Sequence, residues 1–284
     1  MPVDIDAAVI ENRRLSADYN VLSLAAPQIA AAARPGQFVM IKTSGGQDPL
    51  LRRPFSIFEV LRDQSGEPSG ISIFNKRIGV GTTLLSRVEA GARLPLLGPL
   101  GRPFEPVDPP AEAWIVAGGV GLAPFVTLAA ALQARATPTT LFYGARRAEE
   151  LYCVNLFEDL GVTIVLSTED GSLGVRGRIT VPLGDALERR PLGNPVKLYV
   201  CGPTPMMRAC AHLARAHGRA CDVSLEQVMG CGLGGCYSCV VLAHGADPST
   251  GLGAGGGKPH HTRTCIDGPV FDAQRIVWDA VSGH

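Results

Sequence analysis

Four cysteines near the C-terminus have the residue type and spacing that suit iron chemistry. They form a C-x4-C-x2-C group followed, after 25 residues, by a fourth member: Cys231, Cys236, Cys239 and Cys265. This is the spacing found around plant-type two-iron two-sulfur clusters, in which four thiolates hold two irons. Four glycines between residues 230 and 235 let the loop fold around inorganic sulfide and turn its N–H groups toward it. The pattern predicts a 2Fe-2S site with these cysteines as metal ligands.

Two other interpretations of the cysteine group stay open at this point. A zinc ion can take four thiolates, although zinc motifs favour paired C-x2-C units. The four cysteines can also be buried and inert, as free cysteines often are.

A glycine-rich loop in the middle of the chain has the context of a dinucleotide site. It follows the apolar run 114–117 and precedes residues 124–135, which are predicted to form a helix. Glycines let a backbone approach a pyrophosphate, and proline suits the first helical position because its φ is already set. The loop therefore predicts four cofactor-binding residues: Gly118, Gly119, Gly121 and Pro124.

The segment Arg53-Pro54-Phe55-Ser56 stands at the start of a predicted strand. It resembles the flavin-domain signature Arg-x-Tyr-Ser/Thr of the ferredoxin–NADP reductase superfamily. A guanidinium can fork onto a pyrophosphate, an aromatic face can pack on the isoalloxazine, and a hydroxyl can reach its N5 region. Phe55 replaces the usual tyrosine, which keeps the aromatic face and loses the phenol. The resemblance implies that Arg53, Pro54, Phe55 and Ser56 bind FAD.

Two further segments extend this resemblance. Residues 74–82 look like the superfamily's second flavin contact set, a strand that feeds the N-terminus of a helix, where N–H groups suit a phosphate. They imply FAD contacts from Phe74, Asn75, Lys76, Gly81 and Thr82. Residues 201–207 resemble the superfamily's Cys-Gly-Pro-x-x-Met at a strand's carboxyl end, which faces the ligand crevice. They imply NAD contacts from Cys201, Gly202 and Pro203, where Cys201 either polarises the nicotinamide or simply packs.

The elements that position these motifs fall into three stretches. Residues 1–105 carry short apolar runs, such as 55–60, between Gly- and Pro-rich breaks, which predicts an antiparallel FAD-binding β-barrel. Residues 106–222 alternate apolar strands with helices, which predicts a doubly wound parallel-sheet NAD-binding domain. Residues 223–284 carry the four cysteines and are predicted to form a small C-terminal 2Fe-2S cluster domain. The predicted fold class is multidomain, β plus α/β.

The composition argues against several kinds of partner. Lys plus Arg and Asp plus Glu both number 26, so there is no net charge to attract nucleic acid or an anionic membrane. Residues 113–134 are uncharged and long enough to cross a bilayer, but internal glycines and a proline indicate strand, turn and helix. The acidic side chains within residues 1–6 predict no signal peptide, and eight cysteines are too few for a disulfide scaffold. We therefore expect a cytoplasmic protein that binds neither membrane nor nucleic acid.

The order of barrel, dinucleotide domain and cluster resembles the electron-transfer subunits of NAD-dependent dihydroorotate dehydrogenases. Segments 229–240 and 263–271 carry its most specific part. The resemblance implies an oxidoreductase of pyrimidine biosynthesis with FAD, a 2Fe-2S cluster and NAD as cofactors. It also implies a partner, an FMN-containing catalytic subunit, in a heterotetramer with two copies of each chain. Electrons from dihydroorotate would reach the cluster, then FAD, and leave as hydride to NAD, because a flavin must join one-electron to two-electron carriers.

Some features of the sequence leave alternatives open. The segment between Cys239 and Cys265 holds a Gly/Pro/His-rich insertion longer than the resemblance leads us to expect. A related FAD/2Fe-2S NAD(P)H reductase subunit that serves a hydrogenase, a transhydrogenase or an oxygenase would carry similar motifs. A redox-sensing module without turnover is an alternative from another class. No side chain is predicted to act as a catalytic acid or base on dihydroorotate.

Overall fold

The protein is described by a computed structural model over residues 1–44, 46, 48–191, 193–245 and 258–281. Its N-terminal part is an antiparallel sheet of seven strands with two short helices. These elements are β1 (Val3–Arg14), β2 (Tyr19–Ala25), α1 (Pro27–Ala32), β3 (Phe38–Ile41), β4 (Arg53–Ser56), β5 (Glu59–Arg62), β6 (Pro68–Lys76), α2 (Val80–Leu85) and β7 (Arg93–Leu100). The strand order in space is β4-β3-β7-β1-β2-β6-β5. The predicted antiparallel barrel is confirmed.

The sheet curls around its apolar core because two consecutive strands lie at its opposite edges. β4 pairs with β3, whereas β5 pairs with β6, so the chain changes partner between them. At this change the Ile57 N–H donates to the Gln37 carbonyl oxygen at 3.0 Å, and the Phe58 N–H donates to that of Ser72 at 2.9 Å. The single strand predicted over 55–60 is therefore wrong, since Ile57 and Phe58 form a fully buried corner between two strands.

The second sheet is parallel and has helices on both faces. Its elements are β8 (Glu112–Gly118), a 3₁₀ helix (Gly119–Phe125), α3 (Val126–Gln133), β9 (Thr139–Ala145), a 3₁₀ helix (Ala148–Glu150), α4 (Asn155–Glu158), β10 (Thr163–Thr168), β11 (Val175–Arg176), α5 (Thr180–Glu188), β12 (Val196–Cys201), α6 (Thr204–Ala216) and β13 (Ala220–Ser224). The order is β11-β10-β9-β8-β12-β13. Along β8, Trp114 and Val116 pack against α5 and α6, whereas Ile115 and Ala117 pack against α3 and α4. The predicted doubly wound domain is confirmed.

The uncharged stretch 113–134 is divided between three elements of this sheet region. It contains β8, the first 3₁₀ helix and α3. The helix predicted over 124–135 begins later as an α-helix, at Val126, because Pro124 belongs to the 3₁₀ helix that precedes it. Among the described residues, no helix has both the length and the apolar character needed to span a membrane.

The C-terminal segment joins both sheets. β14 (Val240–His244) pairs with β15 (Pro259–Arg263), and α7 (Thr264–Asp267), β16 (Val270–Asp272) and a 3₁₀ helix (Trp278–Ala280) follow. β16 pairs antiparallel with β13 and extends the second sheet, and its Phe271 enters the core under α5 and α6. Met229 packs instead on β3 and β7 of the first sheet. Most of the predicted insertion, residues 246–257, lies outside the described part of the chain.

Candidate redox site

Two of the predicted loops meet at the carboxyl edge of the second sheet. β8 and β12 are parallel neighbours, and their register pairs Ala117 with Cys201, so the residues after each strand lie side by side. A Cβ on Gly121 would lie 2.4 Å from the Cys201 carbonyl oxygen and 2.6 Å from the Gly202 Cα. The two loops therefore touch through their backbones, which only glycine at position 121 permits.

The surface of this edge is formed by backbone. Gly119 has a φ of +55°, a conformation that favours glycine, and no atom lies within 4 Å of where its Cβ would be. Gly118 is half-buried and would clash with Met206 and Pro203 if it carried a Cβ. Pro124 is buried behind the loop inside the 3₁₀ helix, so it shapes the loop without lining its surface. Open backbone next to a strand end suits a pyrophosphate.

Cys201 lies beside this edge as a neutral thiol. The pKa of the Cys201 thiol is raised to about 12, mainly by burial and also by the nearby Glu226 carboxylate, whereas a hydrogen bond with the Ser224 hydroxyl acts to lower the pKa. A thiol in this state is a weak hydrogen-bond donor and not a nucleophile at neutral pH. The sequence did not single out Ser224 or Glu226, because they belong to β13 and the residues after it and carry no motif.

A second candidate site lies where β4 meets α2 in the first sheet. Arg53, Pro54, Phe55 and Ser56 are all half-buried along β4. A Cβ on Gly81 would lie 3.2 Å from the Thr43 Oγ1 and 3.4 Å from the Arg53 Cγ. The structure therefore brings together Arg53 and Gly81, which lie 28 positions apart in the sequence.

Thr43 is a residue that the sequence analysis missed. Its hydroxyl is buried and makes no hydrogen bond with any described residue. A buried hydroxyl without a partner is costly, so it indicates a group that completes the site when bound. A threonine two residues after β3 has no motif, so only the three-dimensional arrangement could reveal it.

The remaining predicted flavin residues mainly hold α2 and β6 in place. The Thr82 Oγ1 accepts from the N–H groups of Ile78 at 2.9 Å and Gly79 at 3.0 Å, which caps α2. The buried Asn75 amide donates to the Asn20 Oδ1 at 2.7 Å and to the Thr82 carbonyl oxygen at 3.0 Å. The Thr82 hydroxyl and the Asn75 amide nitrogen are therefore occupied by structural contacts, whereas the buried Asn75 Oδ1 makes no hydrogen bond with any described residue.

The other two members of that set lie in an aromatic cluster between the sheets. The Phe74 ring is buried, with its centroid 5.4 Å from that of Phe58 and 5.6 Å from that of Tyr19. The Lys76 Nζ lies 5.3 Å from the Tyr19 ring centroid. The structure does not bring these two side chains to Arg53 through any described contact.

The third candidate site is the cysteine group. Pairing of β14 with β15 places Val240 opposite Arg263, so the residues next to these strands meet, and the Thr264 N–H donates to the Cys239 carbonyl oxygen at 3.0 Å. Cys239 and Cys265 are therefore brought together, although 25 residues separate them in the sequence, and both are buried. Long-range strand pairing, and not local spacing, positions the fourth predicted ligand.

The thiols interact most strongly within two pairs, and Cys265 also interacts with Cys231. Cys236 interacts with Cys231, and a hydrogen bond with the Ser238 hydroxyl at 3.2 Å is the main cause that lowers the pKa of Cys236 to about 6. Cys265 interacts with Cys239, and burial raises the pKa of Cys265 to about 12. Within the described ranges, no three Cys, His, Asp or Glu side chains converge on a single ion position. Two pairs fit two irons with two thiolates each better than one zinc with four.

The cysteine loop packs on β3 and β7, and β3 is the neighbour of the strand that carries the flavin motif. Gly232, with a φ of +73°, is so close to the barrel that a Cβ would lie 2.6 Å from the Met40 Cγ. Met40 is paired with Pro54 across β3 and β4. Cys239 and Cys265 share one apolar cluster with Met40. The cysteine loop is therefore linked to the predicted flavin motif through Met40 of β3 and its pairing with β4.

Family models match two parts of the chain. The oxidoreductase NAD-binding domain matches residues 115–212, which include both touching loops. The iron-sulfur cluster binding domain of dihydroorotate dehydrogenase B matches residues 226–277, which include all four cysteines.

Similar proteins and structures cover nearly the whole chain. The dihydroorotate dehydrogenase B (NAD(+)) electron transfer subunit of Desulforamulus reducens is 34% identical over 276 residues, which are 96% of this chain and 98% of that protein. Its namesake in Geobacillus thermodenitrificans is 35% identical over 271 residues, 95% and 96% of the two chains. An NADH-dependent reduced ferredoxin-NADP oxidoreductase superposes with a TM-score of 0.79 at 28% identity, over 96% of this chain and 90% of that chain. A ferredoxin NADP+ reductase from Neisseria gonorrhoeae with bound FAD and NADP shares the fold, with a TM-score of 0.64 at 17% identity over 76% and 92%.

Proposed function

Because this chain belongs to the family of electron transfer subunits of dihydroorotate dehydrogenase B (NAD(+)), we propose a specific role for each of its three sites. The protein is an NAD-linked oxidoreductase subunit of pyrimidine biosynthesis that passes electrons between NAD and a catalytic dihydroorotate dehydrogenase subunit. It works with FAD, a 2Fe-2S cluster and NAD. FAD supplies the exchange between the two electrons of a hydride and the single electrons that a cluster carries.

The observation that supports the assignment of roles is the packing of the cysteine loop on β3, the strand next to β4. We assign NAD to the edge formed by Gly118, Gly119, Gly121 and the loop 201–203, and FAD to β4 with Gly81 and Thr43. The cluster is assigned to Cys231, Cys236, Cys239 and Cys265. Because the Cys loop packs on Met40 of β3, and β3 pairs with β4, we propose that an electron crosses from cluster to flavin without leaving the protein. The limits 1–105, 106–222 and 223–284 remain our proposal for the three functional units.

We propose that the catalytic subunit docks on the exposed face around the cluster. Three large apolar side chains next to the ligands are exposed there: Leu233, Tyr237 and Ile266. Apolar side chains in one exposed patch are typical of interaction sites. We also propose that the partner contains FMN, that two copies of each chain assemble, and that the complex works in the cytoplasm.

The partner proposal is tested by an anaerobic pull-down of the native chain, with mass spectrometry and the native mass of the complex. We expect a dihydroorotate dehydrogenase subunit that releases FMN on denaturation, in a complex with two of each chain. Recovery of a different oxidoreductase would instead make this chain a reductase module for that partner, the alternative that the similarity to the ferredoxin-NADP oxidoreductase favours.

Removal of the Thr43 hydroxyl is expected to weaken FAD binding and to stabilise the apoprotein. Thr43→Val keeps the shape and removes the hydroxyl, so we expect the FAD dissociation constant to rise about tenfold, because a hydrogen bond to a charged group is lost. The apoprotein should become more stable by about 1 kcal/mol, since a buried hydroxyl without a partner is removed. Fluorescence titration with FAD and thermal unfolding of the apoprotein measure the two effects. Thr43→Ser keeps the hydroxyl and is the matched control, and unchanged FAD affinity in Thr43→Val would contradict the assignment.

The loop after β9 predicts a preference for NADH over NADPH. β9 neighbours β8, so its carboxyl end lies beside the assigned NAD edge. There the Arg147 Nη1 lies 3.2 Å from the Glu149 Oε1, and its Nη2 lies 3.8 Å from the Glu150 Oε1, so its charge is already paired with carboxylates. We expect kcat/KM with an artificial acceptor to be at least about tenfold higher for NADH, because Arg147 and its two carboxylates together carry one net negative charge, which disfavours a 2′-phosphate. The double variant Glu149→Gln, Glu150→Gln should lower the ratio of kcat/KM for NADH to kcat/KM for NADPH. Equal kcat/KM for the two cofactors in the unmodified protein would refute the preference.

A further inference from the structure

Arg263 connects the two segments that carry the cysteines. It lies at the end of β15, two residues before Cys265. Its Nη1 donates to the Gly234 carbonyl oxygen at 3.3 Å, in the loop between Cys231 and Cys236. One side chain therefore spans the gap between the loop with three predicted ligands and the segment with the fourth.

Further contacts fix the direction of this guanidinium. Its Cζ lies 5.4 Å from the centroid of the Tyr237 ring, next to Cys236. Its Nε lies 3.8 Å from the Asp267 Oδ2, and the same oxygen accepts from the Arg263 N–H at 3.0 Å. The Arg263 side chain is 34% exposed, so it is partly shielded from water. The planar guanidinium is held by three different groups, so the side chain loses little conformational freedom when it bridges the two segments.

Gly234 shows that the bridge depends on close approach. This residue has a φ of +79°, and a Cβ there would lie 3.3 Å from the Arg263 Nη1 and 2.7 Å from the Ile266 Cδ1. The loop backbone is thus pressed against both the guanidinium and the residue that follows Cys265. A side chain at position 234 would therefore crowd both the Ile266 side chain and the guanidinium.

We propose that Arg263 is a positioning residue for the cluster, whose guanidinium joins the two ligand segments and whose charge stabilises the cluster's reduced form. The inference rests on the proposed function, because it requires that the four cysteines hold a 2Fe-2S cluster. A cluster gains one negative charge when it accepts an electron, and a fixed positive charge nearby favours that state. Groups that orient metal ligands commonly change metal affinity about 10–100-fold when they are removed.

Two variants of Arg263 separate the bridge from the charge. Arg263→Gln removes the charge and the fork, whereas Arg263→Lys keeps the charge and removes the fork. We expect both variants to release iron to a chelator roughly tenfold faster than the unmodified protein. Only Arg263→Gln should also lower the midpoint potential of the cluster in a redox titration followed by electron paramagnetic resonance.

Arg102→Gln is the matched control, because Arg102 is an exposed arginine whose charge also acts on Asp267. It should leave the release rate and the potential unchanged. FAD content is measured in every variant, so that misfolding is recognised, and Arg263→Lys carries the test if Arg263→Gln does not fold. Iron release and potential equal to those of the unmodified protein in both Arg263 variants would overturn the inference. Absence of a 2Fe-2S signal from the unmodified protein would overturn the proposed function instead.

Discussion

Cys236→Ala is expected to abolish the visible absorbance and the bound iron of the cluster while FAD remains bound. Cys236 is exposed, so its truncation leaves no cavity in a core, unlike truncation of the buried Cys239 or Cys265. Transfer of electrons to or from the catalytic subunit should fall by more than about a hundredfold, beyond the effect of losing a supporting contact. Reduction of an artificial acceptor by NADH should continue, because that reaction needs only the NAD and FAD sites.

The control for this result is Cys153→Ala, which removes a half-buried thiol far from the four predicted ligands in the sequence. It should retain iron, sulfide and both activities. Full retention of iron and acid-labile sulfide in Cys236→Ala would contradict the ligand assignment. Loss of FAD along with the cluster would show that the variant has lost its fold, and the test would then move to Cys236→Ser, which keeps the size of the side chain.

Gly121→Ala is expected to slow reduction of the flavin by NADH about a hundredfold, because displacement of a bound reactant by about 1 Å has effects of that size. The new methyl would lie 2.4 Å from the carbonyl oxygen of Cys201, and backbone cannot rotate out of its way. The ends of β8 and β12 must therefore separate, at a cost of about 1–3 kcal/mol in stability. The residues proposed to hold FAD and the cluster lie in other parts of the chain, so both cofactors should be retained.

Stopped-flow absorbance of the flavin after mixing with NADH measures this effect, and reduction by dithionite shows that the flavin itself remains competent. Gly193→Ala is the control, because nothing lies within 4 Å of its new Cβ. It should behave as the unmodified protein. If flavin reduction in Gly121→Ala is as fast as in the unmodified protein, the assignment of the nicotinamide site to the two touching loops is wrong.

The sequence predicted most of what depends on local pattern. The spacing of Cys231, Cys236 and Cys239 marks a ligand loop without any knowledge of the fold, because its ligands lie within nine residues. Alternation of apolar strands and helices was enough to predict the parallel sheet. The glycines between residues 118 and 121 were informative for the same reason, because a position where two backbone segments approach closely requires glycine.

Features that depend on contacts between distant parts of the chain could not be predicted from local sequence patterns. The apolar run around Ile57 and Phe58 predicts one strand. The run continues without a break through the point where the chain changes its pairing partner, so the corner cannot be recognised in the sequence. The roles of Asn75 and Thr82 in holding α2 follow from hydrogen bonds across the barrel. Thr43 stands out only because its hydroxyl is buried without a partner beside Gly81.

The anchoring of the C-terminal segment has a consequence for how fast electrons cross the protein. This segment is fastened to the second sheet by β16 and to the first by Met229, Cys239 and Cys265, so it cannot swing between a donor and an acceptor. A carrier domain that swings would be slowed by a viscous solvent. On the proposed assignment the separation between cluster and flavin is fixed by packing, so we expect the electron to cross it by tunnelling in the region of Met40. The rate of that step is therefore set by distance and driving force, and added glycerol should leave it unchanged.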